Sequence, residues 1–378
     1  MRLKIKYKIF KGKVIVGYLV QREGFNKSQI ISRENILKFS DYFEGVSFTR
    51  DGLIRKAGYP IDKCSFDQVN ELLAKTEVSI DLNKYKNNKL YDGNTRKFGV
   101  TINGQDFIVK FSKTPLDTSV FSEYVASNFI CNLGFKAHIT KLVKYNGETA
   151  VLIKDFTTAI AKLRSFKDTS QSSEDTNLAD KAYSYEDVLY LIEKHKKMNN
   201  ISKQEAIQYF WQMYVLDAIL ANRDRHHGNW GYLTTQNGYE FAPIYDNGSS
   251  LFPEISKKIQ EYSKDRFTFL QERSERFPAS LLMQYSESER RYKRTNYNAV
   301  INSNQYSDLT KQVNLFRSFG VNKVYAAIRK SAANSLISVI YQQFYVDIVC
   351  MRYLHIIQGC TMTESFEILT KLARGEKV

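Results

Sequence analysis

The sequence predicts an α+β fold in which a β-rich N-terminal part precedes a mainly helical C-terminal part. Two Asn-Gly pairs, at 103–104 and 146–147, each join two β-rich runs, which is the strongest short-range signal for a β-hairpin. Apolar residues then recur at helical spacing over 185–195 and 202–220. Because 378 residues exceed what one ordinary core holds, we expect two or three packed units.

The composition is that of a soluble globular protein, with 43% hydrophobic and 25% charged residues. A formal charge of +15 would suit a nucleic-acid or membrane partner, but the lysines are scattered along the chain, and a general composition bias explains the charge better. Direct nucleic-acid binding stays open. The most apolar region, 335–359, is interrupted by Gln342, Gln343, Asp347 and Arg352, which favours a core helix over a membrane span.

The cysteines and the N terminus bear on the cellular compartment. The four cysteines are widely spaced and form no CxxC pair, so the sequence does not indicate a zinc knuckle. The first 20 residues lack a clean apolar stretch before a small-residue cleavage site, so we do not interpret them as a signal peptide. This cysteine usage fits a reducing cytosol, and we expect a cytoplasmic protein, with a secreted or translocated effector as the alternative.

Residues 1–80 are predicted to form a small α+β unit without a cluster of catalytic residue types. Charged and apolar residues alternate over 3–19, which indicates a hairpin. Residues 65–74 have the apolar spacing of a short amphipathic helix. We interpret this unit as a structural or partner-docking appendage.

The hairpin at 98–111 carries the first candidate binding residues. Lys110 lies on its second strand between apolar neighbours, and a lysine that points inward there needs an anionic partner. An exposed strand lysine is the alternative. The polar loop before the hairpin can place backbone N–H groups on a phosphate. Its candidate residues are Gly93, Asn94, Thr95 and Lys97.

The next segment, 115–133, is predicted to be a helix that presents a carboxylate to the hairpin. Asp117 or Thr118 can cap its N terminus. Glu123 lies one turn into the helix, beside its apolar face. A strand lysine followed by a helix glutamate is the ion pair that positions the α- and β-phosphates in kinase-like folds. A solvated helix residue is the alternative for Glu123.

A second hairpin, over 141–153, leads into a polar connection that contains Lys154 and Phe156. In a bilobal kinase this connection is the hinge, where main-chain groups meet adenine. Residues 165–180 have almost no apolar side chains and are predicted to be a flexible linker. From residue 254 to the C terminus the pattern is helical and aromatic.

Residues 222–248 hold the densest cluster of chemically active side chains. Asp224 is followed five positions later by Asn229 and, after a short apolar stretch, by Asp246. Carboxylate and amide oxygens are hard ligands that suit Mg²⁺. This order matches the catalytic base and metal ligands of protein-kinase-like enzymes. A surface turn is the alternative, and it explains such a polar run between a buried helix and an apolar strand less well.

Four residues at the start of this cluster receive candidate roles. Asp224 is the candidate base that orients an acceptor hydroxyl. His226 is a candidate catalytic-loop residue whose best role is to support the loop, because its spacing to the next histidine does not match a zinc site. Arg223 and Arg225 flank Asp224 and either bind phosphate or hold the loop.

The run NRDRHHGNWGYL…FAPIYDNGSSL resembles the catalytic core of HipA-like serine/threonine kinases, a group that includes bacterial toxin kinases and CtkA-type kinases. The resemblance spans about 93–251 and is most specific over 222–248. It implies a bilobal protein-kinase-like fold, with a small β-rich N-lobe, a mainly helical C-lobe and the extra N-terminal unit. It also implies ATP and Mg²⁺ as cofactors and a protein serine or threonine as acceptor.

The resemblance implies roles for the matching positions. In the phosphate loop, only Gly93 and Lys97 match the family pattern. The implied roles are catalysis by Asp224, Mg²⁺ binding by Asn229 and Asp246, ATP-phosphate binding by Lys110 with Glu123 as its partner, and adenine contact at Lys154 and Phe156. The domains expected from these considerations are 1–80, an N-lobe over 81–164, a linker over 165–184 and a helical C-lobe over 185–378.

Two other functions remain open. The DRHxxN run at 224–229 also resembles phosphoinositide kinases, so a lipid or small-molecule kinase is one alternative. A non-catalytic partner-binding module on the same scaffold is the other. Expected partners are ATP, a protein substrate and an antitoxin-like or regulatory protein. Autophosphorylation and a toxin or effector role are also compatible with the sequence.

Overall fold

The structure is a computed structural model. It describes residues 3–11, 14–22, 28–33, 36–44, 46–57, 61–65, 82–91, 95–171, 184–194, 200–275, 278–286, 291–334 and 336–378. Within these ranges small sheets make up the N-terminal part, and helices dominate the C-terminal part.

The N-terminal unit has its own sheet and its own core. Its strands are β1 (Leu3–Lys11), β2 (Val14–Arg22), β3 (Ser28–Ser32), β4 (Val46–Phe48), β5 (Ile54–Ala57) and β6 (Asp62–Ser65), with a 3₁₀ helix at Ile36–Tyr42. The main sheet has the order β3-β2-β1-β6, and β4 pairs with β5. The predicted hairpin over 3–19 is confirmed by the β1–β2 pairing. The helix predicted over 65–74 lies, beyond Ser65, outside the described residues.

The second sheet and one long helix form the body that carries Lys110. After a 3₁₀ helix at Leu82–Tyr85 come β7 (Lys97–Ile102), β8 (Gln105–Phe111), α1 (Ser119–Asn132), β9 (Thr140–Tyr145) and β10 (Glu148–Lys154). The sheet order is β7-β8-β10-β9.

Both predicted Asn-Gly hairpins are confirmed. Asn103 and Gly104 have φ of 52° and 76°, and Asn146 and Gly147 have φ of 48° and 84°. Positive φ at both central residues is the type I′ geometry that matches the twist of paired strands. The two turns therefore set the register of β7 with β8 and of β9 with β10.

The two faces of this sheet pack against different partners. Val151 and Ile153 of β10 lie in one core cluster with Val125 and Phe129 of α1. Alternate residues on the opposite face form a second cluster around Leu82. Because strand side chains alternate between faces, Lys110 projects on the α1 side of the sheet.

The C-terminal part is mainly helical. In chain order its elements are β11 (Lys162–Ser165), α2 (Phe166–Gln171), α3 (Tyr185–Lys194), α4 (Lys203–Leu220), β12 (Gly231–Thr235), β13 (Gly238–Phe241), a 3₁₀ helix at Ile255–Lys257, α5 (Ile259–Lys264), α6 (Arg266–Glu275), β14 (Pro278–Ser286), β15 (Arg291–Asn296), α7 (Tyr297–Ile301), α8 (Ser307–Arg317), α9 (Gly320–Ala332), α10 (Val339–Arg352), a π-helical turn at Tyr353–Ile357 and α11 (Met362–Ala373).

Helix α4 is the central element of this part. It starts as predicted with a capping box, in which the Ser202 side chain accepts from the Glu205 N–H and Glu205 reaches back to Ser202. It is buried over most of its length, and it ends directly before the predicted catalytic cluster. Within the apolar region, Val339–Arg352 forms α10 and Tyr353–Ile357 the turn after it, as predicted for a core helix. Across the described ranges, no helix has the length and apolar character needed to cross a membrane.

The segment predicted to be a linker over 165–184 begins differently in the structure. Ser165 ends β11, and Phe166–Gln171 is a helix. Phe166 is buried and stacks on Trp230 with ring centroids 4.0 Å apart. The polar residues at the start of the segment form a helix cap, because Ser165 and Asp168 exchange side-chain to main-chain hydrogen bonds. Residues 172–183 lie outside the described part.

The expectation of a purely helical pattern after residue 254 is wrong at one place. β14 and β15 pair as an antiparallel ladder. Leu281, Met283 and Tyr285 recur at every second position in β14, which is a strand period. The high charge of the surrounding residues concealed this pattern.

Candidate active site

The catalytic cluster begins where α4 ends in a left-handed residue. Ala221 has φ of 54°, and this turns the chain out of the helix axis. Asn222 follows and is fully buried. Its Nδ2 donates to Asp217 Oδ1 at 3.0 Å, and its Oδ1 accepts from the Asp224 N–H at 3.0 Å. The end of the helix therefore fixes the main chain of Asp224.

Arg225 holds the cluster together from inside the protein. It is 3% exposed and donates to both carboxylate oxygens of Asp217, at 2.9 and 3.1 Å. Its Nη1 donates to the carbonyls of Asn229 (2.7 Å) and Tyr245 (2.5 Å). Burial alone would lower the pKa of Arg225, but the Asp217 carboxylate outweighs it and raises that pKa. Arg225 is thus a permanently charged support, and it is not free to bind phosphate.

The loop from Asp224 to Asn229 is closed by its own hydrogen bonds. The Asn229 Nδ2 donates to the Asp224 carbonyl at 2.8 Å, and the Asn229 N–H donates to the His226 carbonyl at 2.9 Å. His226 Nδ1 accepts from the Gly228 N–H at 2.9 Å, so this side chain supports the loop. Among the described residues, none donates to the Asp224 carboxylate or to Asn229 Oδ1, and both can therefore face a ligand.

Lys110 joins the sheet, α1 and the segment that contains Asp246, which is called the metal segment below because Asp246 is the predicted Mg²⁺ ligand. Its Nζ lies 2.8 Å from Glu123 Oε2 and 2.7 Å from Asp246 Oδ1. Burial alone would lower the pKa of Lys110, but the charges of Glu123 and Asp246 outweigh it and hold that pKa well above its ordinary value. Lys110 is therefore charged at neutral pH. The predicted Lys110–Glu123 pair is present, and the alternative of a solvated Glu123 is wrong because that side chain is fully buried.

Glu123 is held by further donors on its second oxygen. The Asn247 N–H donates to Oε1 at 2.5 Å, and His138 Nε2 lies 3.0 Å from the same atom. Burial raises the pKa of a carboxyl group, but Lys110 and His138 outweigh this effect, and the pKa of Glu123 lies well below its ordinary value. A Cβ atom added at Gly248 would lie 3.0 Å from Glu123 Oε2, so any side chain at this position would crowd the Glu123 carboxylate.

The predicted phosphate loop is only partly described. Gly93 and Asn94 lie outside the described residues, and Thr95 is half-buried in a bend just before β7. Lys97 is the first residue of β7 and pairs directly with Lys110 on β8. Directly opposed strand residues project on the same face of a sheet, and two like charges there repel each other. The carboxylates of Glu123 and Asp246, which both contact Lys110, offset this repulsion.

The predicted hinge is fixed by Asp155, which is 5% exposed. Its carboxylate accepts from the Tyr91 hydroxyl at 3.0 Å and from the Thr157 N–H at 2.8 Å. The N–H of Lys154 already donates to the Ile139 carbonyl at 2.8 Å. The Phe156 ring packs on Tyr245, with centroids 5.8 Å apart. Phe156 thus links the hinge to the segment that ends in Asp246.

The donor set around Asp246 fits Mg²⁺. Asp246 Oδ1 contacts Lys110, which leaves Oδ2 for a cation, and the Asn229 amide offers Oδ1. Mg²⁺ commonly takes one or two protein oxygens, with phosphate and water oxygens completing its octahedron. Within the described ranges, no group of three or more His, Cys, Asp or Glu side chains could hold a metal ion by itself.

Comparison with known proteins assigns the chain to a family. The profile of the HipA-like C-terminal domain matches residues 78–335, more than half of the chain. The chain belongs to the HipA-like C-terminal domain family. This HipA-like chain is 30% identical over 251 residues to the serine/threonine-protein kinase CtkA of Helicobacter pylori strain J99, covering 62% of this chain and 73% of CtkA.

The solved structure of CtkA agrees with this assignment. The crystal structure of a Helicobacter pylori proinflammatory kinase CtkA matches with a TM-score of 0.61 and 28% identity, over 73% of this chain and 96% of that chain. HipA of Shewanella oneidensis MR-1, in a complex with HipB and operator DNA, matches with a TM-score of 0.39 and 15% identity, over 75% of this chain and 70% of that chain. The predicted bilobal kinase-like α+β fold of this HipA-like chain is confirmed by the similarity to CtkA.

Several supporting residues of the HipA-like site were not singled out from the sequence. They are Ser127, His138, Asp217, Asn222 and Asn247. One signal was available, because a carboxylate within the apolar run YVLDAIL needs a buried cation, and the only cations close behind it in the chain are Arg223 and Arg225. The other contacts join distant parts of the chain, which sequence spacing does not reveal.

Proposed function

We propose that this HipA-like chain is an ATP- and Mg²⁺-dependent protein kinase that transfers the γ-phosphoryl group of ATP to serine or threonine hydroxyls of a protein. The chain is a serine/threonine kinase by its family and by its similarity to CtkA. The single observation that carries the nucleotide site is the contact of Lys110 with both Glu123 and Asp246. This is the arrangement in which kinase-like folds hold phosphates and metal together.

Asp224 acts on the acceptor. Its carboxylate accepts a hydrogen bond from the substrate hydroxyl, which turns the hydroxyl oxygen toward the γ-phosphorus. A bond forms between that oxygen and phosphorus, and the bond from phosphorus to the bridging oxygen of ADP breaks. The hydroxyl proton moves to Asp224, and ADP leaves with the bonding electron pair.

The N-terminal lobe holds the nucleotide. Lys110 and Lys97 project from neighbouring strands on one face and bind phosphate oxygens. Phe156 carries the main-chain groups that meet adenine, because the Lys154 N–H is already engaged. Asn229 and Asp246 hold Mg²⁺, which offsets negative charge on the phosphate oxygens when it is bound.

The expected partners rest on the family resemblance, and the expected location rests on the cysteine usage. A protein substrate is the expected acceptor, and an antitoxin-like or regulatory protein is the expected partner. The positive net charge does not by itself indicate direct DNA binding. We place the reaction in the cytoplasm on the basis of the cysteine usage.

The function is tested by incubating the protein with γ-labelled ATP and Mg²⁺, alone, with a protein extract and with lipid vesicles. We expect label on protein serine or threonine, and its loss in Asp224→Ala and Asp246→Ala. Label on lipid or on a small molecule would replace the protein-kinase assignment. Failure to bind or consume ATP under every condition would support a non-catalytic module instead.

A further inference from the structure

Asn247, directly after the proposed metal ligand, is a fully buried amide whose polar groups are all engaged. Its Nδ2 donates to Ser127 Oγ at 3.0 Å, and its Oδ1 accepts from Arg225 Nη2 at 2.6 Å. Its main-chain N–H donates to Glu123 Oε1 at 2.5 Å. Two of these partners belong to α1 and the third to the catalytic loop. One residue therefore contacts both sides of the cleft.

Asp246 itself has a main-chain conformation that needs outside support. Its φ is 54°, in the left-handed region that residues other than glycine rarely adopt. Such a conformation costs about 1–3 kcal/mol and persists where the surroundings enforce it. Arg225 donates to the Tyr245 carbonyl on one side of Asp246 and to the Asn247 side chain on the other. Arg225 thus fixes the residues on both sides of Asp246 in the chain.

The chain rejoins the start of α1 soon after this point. The Leu251 N–H donates to the Leu220 carbonyl at 2.8 Å. The Thr118 N–H and hydroxyl both donate to the Pro253 carbonyl, at 2.8 and 2.9 Å. Movement of α1 away from this segment would break the Thr118 bonds and the contacts of Asn247 with Ser127 and Glu123 together.

We propose that Asn247 is a positioning residue that couples α1 to the metal segment, so that the Lys110–Glu123 pair and Asp246 are assembled as one unit. The proposal rests on the kinase function above and deepens it. Arg225 sets the position of Asn247, and Asn247 sets both Glu123 and Asp246. Loss of its side chain releases Asp246 from its enforced conformation and weakens metal binding at the nucleotide, even where the fold survives.

The test is the gain in affinity for a non-hydrolysable ATP analogue when Mg²⁺ is added, measured by titration calorimetry beside the thermal unfolding midpoint. The variant is Asn247→Ala. The matched control is Asn132→Ala, because Asn132 Nδ2 also donates to a serine hydroxyl, Ser331 at 2.9 Å, but toward α9. Both variants lose an amide from an Asn–Ser hydrogen bond, but only Asn247→Ala also loses a side-chain hydrogen bond from Arg225.

We expect Mg²⁺ to raise the affinity for the ATP analogue equally in the wild type and in Asn132→Ala. In Asn247→Ala we expect this gain in affinity to be at least tenfold smaller. If Asn247→Ala does not fold, Ser127→Ala is tested instead. It removes only the hydrogen bond between Asn247 and Ser127, and we expect the Mg²⁺-dependent gain in affinity to be two- to fivefold smaller. An unchanged gain in the folded variant, with only a lower unfolding midpoint, would reduce Asn247 to a stabilising residue. The proposed function itself would be overturned if the wild type showed no Mg²⁺-dependent gain in affinity for the analogue and no turnover of γ-labelled ATP.

Discussion

At the residue scale, Lys110 is the described residue of the site that contacts the most oppositely charged side chains. It meets two carboxylates and faces a second lysine across the strand pair. We predict that Lys110→Ala lowers kcat/KM for ATP by about 100-fold, or about 2.7 kcal/mol, because the phosphates lose their cation. Lys113→Ala is the control, since Lys113 is exposed just after the same strand. Equal turnover in the two variants would place the phosphate lysine elsewhere.

Glu123 makes stability depend on pH. Its pKa is depressed in the folded protein, so its contribution to the free energy of unfolding is complete above the unfolded pKa of about 4.3 and is lost as pH falls through the folded pKa. We predict that the difference in unfolding free energy between the wild type and Glu123→Gln is constant from about pH 6 to 8 and narrows below about pH 4.3. Urea denaturation at several pH values measures it. A difference that widens on acidification would contradict the account.

The sequence singles out the residues proposed to act on ligands more readily than those that support them. The spacing of Asp224, Asn229 and Asp246 matches a known chemical task, and their roles stay predictions. Asn247 and Ser127 were not singled out, because they lie 120 positions apart in the sequence and meet only in the folded chain. Arg225 was assigned either to phosphate or to the loop, and only its burial against Asp217 decides for the loop.

At the element scale, the end of α4 and the loop after it depend on the buried pair of Asp217 and Arg225. We predict that Arg225→Ala costs about 3–5 kcal/mol of unfolding free energy, because it leaves the Asp217 charge buried without its partner. Arg223→Ala is the matched control. Arg223 and Glu254 form an ion pair with side chains 40% and 47% exposed, and such a pair contributes less than about 1 kcal/mol. Urea unfolding that gives equal costs for both variants would contradict this assignment.

Elements with a local signal were predicted, and those fixed by distant contacts were not. The Asn-Gly turns and the Ser202 capping box carry their geometry in a few adjacent residues. Helix Phe166–Gln171 has a local cap, but its position depends on the stacking of Phe166 on Trp230, which is distant in sequence. A run rich in Ser and Asp therefore looked like a linker although its first residues cap a helix.

At the scale of the whole molecule, the boundary before the N-lobe can be located by two truncations. Leu82 is fully buried in the N-lobe core, and Lys89 pairs with Asp106 at 2.6 Å. We predict that removing residues 1–77 leaves nucleotide binding intact, since the cluster around Leu3 and Ile5 consists of residues of the N-terminal unit alone. Removing residues 1–91 should lower the unfolding midpoint by several degrees or abolish folding. Equal behaviour of the two shortened chains, measured by calorimetry, would contradict the boundary near residue 80.

The two-lobe arrangement itself was expected from the order of the motifs along the chain. The contact that joins the two lobes was not expected, because it depends on Lys110 and Asp246. These residues are 136 positions apart in the sequence, and their side chains meet at 2.7 Å. The central claim is that this contact marks a nucleotide–metal site.

A crystal structure with a non-hydrolysable ATP analogue and Mg²⁺ tests that claim most directly. The account predicts a metal ion bonded to Asn229 Oδ1 and the Asp246 carboxylate at about 2.1 Å, with phosphate oxygens on Lys110. A nucleotide bound elsewhere, or a metal held without Asn229 and Asp246, would contradict it.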